Sequence, residues 1–108
     1  LYRGARRNLQ KHFNEFVVEG VKRVVFNGVS EIAEIAYISL QETAIKMVAI
    51  VDEKRVGKIF LGNVVKDPRV LESMSFDRIL ITSMKKDDSQ LEKILKKGIA
   101  RSSIVMLV

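Results

Sequence analysis

The sequence predicts an α/β protein: a Rossmann-like, doubly wound, mostly parallel sheet of four to five strands with helices on both faces. Three observations predict it. Short apolar, β-branched runs alternate with segments of helical period along the whole chain. The connections between those runs are long enough for parallel crossovers. The first run ends on Gly28, and a helical pattern opened by Ser30 follows, which is how nucleotide-binding sheets begin.

The elements follow in order. Leu9, Phe13, Phe16 and Val17 recur at helical spacing, so residues 5–19 form an amphipathic helix that Gly20 stops. "VKRVVFN" (21–27) is a strand buried on both faces. Ser30 caps the next helix, Glu31 and Glu34 sit in its first turn, and Ile32, Ile35, Ala36 and Leu40 give it a stripe that faces the sheet. "IKMVAIVDE" (45–53) is the second strand, with Asp52 at its carboxyl end. The charged turn "EKRVGK" leads to "IFLGNVV" (59–65), a short strand or hairpin arm. Asp67 and Pro68 start a short helix over 68–73. "FDRILITS" (76–83) is a strand, and "DDSQLEKILKKG" (87–98) is a helix with acids in front, lysines behind and Gly98 as stop. "SSIVMLV" (102–108) closes the sheet.

Composition narrows the function classes. The 108 residues suit one domain, and with aromatics at 6% and no Trp the core is aliphatic. The absence of Cys removes disulfides, thiolate metal sites and thiol nucleophiles, and it fits a cytoplasmic setting. No apolar run approaches the roughly 20 residues of a membrane-spanning helix, so no membrane association is expected. The net charge of +6 is lopsided, with six basic and two acidic side chains in residues 1–23. Such a segment suits nucleic acid or an acidic partner, or is simply a solvated helix face.

The strongest motif is Gly28-Val29-Ser30-Glu31-Ile32-Ala33, between a strand and a helix. In a dinucleotide fingerprint the first glycine makes the tight turn, the second lets the backbone approach a pyrophosphate, and the third position lets helix and strand pack. Gly28 and Ala33 fit the outer roles, and Ser30 replaces the middle glycine. Asp52 stands where an acid would bond a ribose hydroxyl, and Thr82 and Ser83 end a strand facing the same crevice. Gly28, Val29, Ser30, Glu31, Asp52, Thr82 and Ser83 are therefore the candidate contacts for a nucleotide-like ligand. Against a pyrophosphate stand the missing glycine and the carboxylates of Glu31 and Glu34. The same residues also make a plain strand–helix turn capped by Ser30, with Asp52 as a turn former.

Catalytic chemistry finds little footing. His12 is the sole histidine and lies on the leading helix, and Tyr37 has Gln41 rather than Lys four residues on. Asp87 and Asp88 read as helix N-terminal charges, so no catalytic or metal-ligating set is expected.

"EGVKRVVFNGVSEIAEIAYISLQETAIKMVAIVDEKRVGKIFLGNVV", with "FDRILITS" downstream, resembles the C-terminal Rossmann-like domain of bacterial winged-helix (MarR-like) transcriptional regulators. It is also similar to CoA- or nucleotide-sugar-binding domains that precede polysaccharide-biosynthesis enzymes. The likeness covers residues 18–108, and its most specific parts are "GVSEIAEIAY" and "VAIVDEKRVGKIFLG". It implies that residues 1–19 are a linker helix from a missing N-terminal DNA-binding domain and that residues 20–108 are a regulatory domain. A chain starting at Leu1 rather than Met fits that expectation. It also implies a non-catalytic, ligand-sensing role, with NAD, CoA or a nucleotide sugar as candidate ligands. DNA would be bound through the missing domain, with Arg3, Arg6 and Arg7 close to its phosphates, and the protein would be a homodimer. The alternatives are a cofactor-binding domain of a sugar-nucleotide enzyme and a dimerisation module in which Phe13 and Phe16 pack across a two-fold axis.

Overall fold

The computed structural model describes residues 2–83 and 89–107, with side chains from Arg7 onward. Helix α1 (Tyr2–Glu19) comes first, then strand β1 (Arg23–Asn27), helix α2 (Glu31–Leu40) and strand β2 (Lys46–Val51). A hairpin of β3 (Ile59–Phe60) and β4 (Asn63–Val64) follows, then a 3-10 turn at Pro68–Glu72 and strand β5 (Arg78–Ile81). Helix α3 (Ser89–Lys96) and strand β6 (Ile104–Met106) complete the chain.

The main sheet has four strands, all parallel, in the order β2-β1-β5-β6. The strand order reverses between β1 and β5, so successive right-handed crossovers fall on opposite faces. Side chains alternate accordingly. Val24, Phe26, Ile50 and Leu80 point into the layer under α1 and α2. Val25, Ala49, Val51, Ile79 and Ile81 point into the layer under α3 and the 3-10 turn. The α/β expectation of a parallel sheet with helices on both faces is met, with four strands in the sheet.

Helix α1 is part of this domain's packing. Leu9, Phe13 and Phe16 are buried in the first layer with Val24, Phe26 and Leu80. Its end is a Schellman motif: Gly20 has φ +80, its N–H donates to Val17, and the N–H of Val21 donates to Phe16. The expectation that Phe13 and Phe16 pack across a dimer axis is corrected here, because both rings are enclosed by the domain's own core. Arg7 is exposed on α1, while the side chains of Arg3 and Arg6 lie outside the described residues, as do Asp87 and Asp88.

Two elements refine the sequence expectation. "IFLGNVV", expected as a short strand or hairpin arm, holds both arms of a two-stranded hairpin, turning at Leu61 (φ +46) and Gly62 (φ +84). Pro68–Glu72 is a 3-10 turn, capped by Asp67, whose Oδ1 accepts from the Arg69 N–H at 2.9 Å. Five residues are too few for a stable α-helix, and the tighter turn places Leu71 in the core.

Candidate functional site

The carboxyl ends of β1, β2 and β5 meet at the point where the strand order reverses, the usual ligand position in open α/β sheets. A cavity of about 370 Å³ opens there, between the sheet ends, the 3-10 turn and α3. Gly28, Val29, Asp52 and Ser83 line it, so four of the seven residues expected from sequence share one wall. Ser30, Glu31 and Thr82 are not part of the lining.

The turn between β1 and α2 is built from internal hydrogen bonds. The Ser30 hydroxyl accepts from the Ala33 N–H at 3.1 Å as the helix N-cap, and it donates to the Thr82 carbonyl. The Thr82 hydroxyl in turn donates to the Gly28 carbonyl at 2.5 Å, and Thr82 is wholly buried. The expectation that Thr82 faces a ligand is therefore corrected: its hydroxyl is consumed in tying the two loops together.

Gly28 has a structural reason for being glycine. Its φ is +119, and a Cβ there would lie 2.7 Å from the Ser83 nitrogen and 2.8 Å from its Cα. The first glycine of the fingerprint serves a tight turn, and here that turn is pressed against a second segment of the same chain. Asp52 behaves comparably. Its Oδ2 accepts from the Val29 N–H at 3.0 Å and its Oδ1 from the Lys54 N–H at 3.0 Å, with the Arg55 guanidinium 3.4 Å away. The acid expected on a ribose instead takes one of the amides expected on a phosphate.

The far wall is basic, and the sequence motifs did not single it out. Lys54, Arg55, Lys93, Lys96 and Lys97 line the cavity against Asp52, Glu53 and Glu72. The spacing of Gln90, Lys93 and Ile94 on α3, continued by Lys97 in the turn after it, turns these residues toward the cavity, with Ile94 buried as its floor. That i, i+3, i+4, i+7 pattern was the signal available in the sequence. Lys93 reaches across to Glu53 on the turn after β2 at 2.9 Å.

Among the described residues, no buried side-chain nitrogen or oxygen lacks a hydrogen-bond partner. Nor does any cluster of His, Asp and Glu among them have the makings of a metal site. His12 lies half-buried on α1, with its ring centroid 6.3 Å from that of Phe16. No helix among the described residues is long and apolar enough to cross a membrane.

No curated protein matches the chain at a significant level. Residues 20–105, from the C′ glycine of α1 into β6, match the family model described as C2185-like, N-terminal. The chain belongs to the C2185-like N-terminal domain family.

Proposed function

We propose that this chain is a non-catalytic, ligand-sensing domain that binds a nucleotide-like small molecule at the carboxyl end of its sheet. It would report occupancy to an attached DNA-binding domain in a cytoplasmic transcriptional regulator. The observation that carries the binding role is the cavity of about 370 Å³ at the strand-order reversal. Its volume and position suit a small organic ligand, and its lining has a surplus of two positive charges. The regulatory setting rests on the resemblance of "GVSEIAEIAY" and "VAIVDEKRVGKIFLG" to regulator domains. Because α1 shares the core with the sheet, it is the natural relay to a domain joined through it.

Thermal-shift measurements with NAD(H), CoA esters and nucleotide sugars test the binding role. A ligand present at about 100 times its Kd stabilises the folded domain by about 2.7 kcal/mol, a shift well within reach of the method. Flat melting curves across the panel would count against ligand sensing. A full-length reading frame lacking a DNA-binding segment would remove the regulatory setting.

A further inference from the structure

We infer that the cavity takes a small phosphate monoester, with its phosphate held by Lys93 on α3 and Lys97 just after it, and not by the amide end of α2. This rests on the ligand-binding role proposed above and names the ligand class and the recognition side.

Two amides at the start of α2 are already taken. Asp52 accepts from the Val29 N–H and Ser30 accepts from the Ala33 N–H. A phosphate arriving there would have to displace a carboxylate and then sit beside it, with Glu31 and Glu34 in the same turn. Two like charges about 4 Å apart cost about 4 kcal/mol at an effective dielectric near 20. Gly28 offers no compensating opening, since the space beside its α-carbon is filled by the Ser83 backbone.

The α3 wall has the opposite character. Lys93 on α3 and Lys97 in the turn that follows it both line the cavity, as do the buried Ile94 and Leu71. Lys93 is held by Glu53, but both side chains are about half exposed, at 53% and 52%. Exposed pairs of this kind contribute little, so a dianion bound by two lysines readily replaces Glu53 as the partner of Lys93. The apolar floor of Ile94 and Leu71 then accommodates the organic part of the ester.

Size limits the organic part. Small-molecule sites run from about 300 to 1,000 Å³, and this cavity lies at the lower end. One nucleoside or sugar matches that space better than a dinucleotide with two of each. The fingerprint-like turn and the lysine wall therefore make different demands: the first suggests a pyrophosphate, the second a terminal phosphate on a compact body.

Titration calorimetry at matched ionic strength, on the 108-residue chain, separates the possibilities. The ligands are adenosine monophosphate, glucose 1-phosphate, inorganic phosphate and NAD. The proteins are the parent, Lys93→Gln/Lys97→Gln, and a charge-matched control, Lys46→Gln/Lys58→Gln, at exposed positions away from the cavity. At least one monoester should bind more tightly than inorganic phosphate and NAD. The lysine pair should weaken it by about tenfold or more, and the control by less than about twofold. Monoester binding that survives the loss of Lys93 and Lys97 overturns the recognition side and leaves ligand binding intact. Tighter binding of NAD, or equal binding of bare phosphate, overturns the ligand class. Binding of none of the four overturns the ligand class too, and the broader thermal-shift panel then decides whether the ligand-binding role survives. Asp52→Asn gives a second readout: monoester affinity should be unchanged or improved, and a large loss would return the phosphate to the α2 end.

Discussion

The hydroxyl of Ser30 donates to the carbonyl of Thr82, and the hydroxyl of Thr82 donates to the carbonyl of Gly28. These two bonds tie the loop after β1 to the segment after β5, across 52 and 54 residues of sequence. Thr82→Val keeps the shape and leaves the Gly28 carbonyl without its donor, which should cost about 1–3 kcal/mol. Ser30→Ala also removes the helix cap and should cost about 1–2 kcal/mol. Urea denaturation of the single and double variants should show the two effects to be non-additive by about 0.5 kcal/mol or more, because they share the Thr82 backbone.

Gly28→Ala tests whether this glycine serves folding or ligand. The added Cβ meets the Ser83 backbone at 2.7–2.8 Å, and a φ of +119 is itself strained for alanine. The loss should be at least about 2 kcal/mol in denaturant, measured with no ligand present. An unchanged midpoint would mean the two loops separate easily.

Phe13 lies at the heart of the α1 face, 2% exposed, with its ring centroid 6.1 Å from that of Phe16. Phe13→Ala should cost about 3–5 kcal/mol of stability. Sedimentation of whatever folded fraction remains should match the parent, because the ring packs within its own domain.

Asp77 gives a pH signature. Its Oδ2 accepts from the N–H groups of Lys22 and Arg23 at 2.9 Å each, and these bonds hold its carboxyl below the usual aspartate range. Its folded pKa is thus lower than its unfolded one of about 3.9. The stabilisation is fully present above that unfolded value and is lost as pH falls through the folded one. Asp77→Asn should lower the stability read from thermal denaturation at pH 7 by less than about 1 kcal/mol given the exposure of the group. The difference from the parent should shrink steadily as the pH is taken down toward about 2.

Leu61 holds a positive φ of +46 at the tip of the hairpin, ahead of Gly62, with its side chain largely exposed. Two-residue turns of this kind favour Asn-Gly. Leu61→Asn should therefore raise stability by about 0.5–1 kcal/mol in thermal denaturation.

The alternation of strands and helices was legible because it is carried by local chemistry. β-branched runs end on turn residues, Ser30 caps, and Gly20 and Gly98 stop helices with positive φ. The roles of polar side chains at the sheet ends were not legible in the same way. Spacing puts Asp52 near Gly28, but only the geometry shows its carboxylate on the Val29 N–H and not turned toward a ligand. Thr82 reads as a polar strand end, and its burial depends on how the loop after β1 folds over it. The basic wall is not legible in the sequence because lysines late in a helix also satisfy its dipole, so Lys93 and Lys96 carry two meanings.

The contact between Gly28 and Ser83 bears on how such chains should be sorted by motif. A library randomised at position 28 and selected only for folding would return glycine, just as one selected for nucleotide binding would. Enrichment of glycine after a first strand thus cannot tell an occupied fold from an unoccupied one. Positions 93 and 97 discriminate better, because partly exposed lysines there contribute little to folding and a selection for binding would act on them far more strongly than a selection for folding.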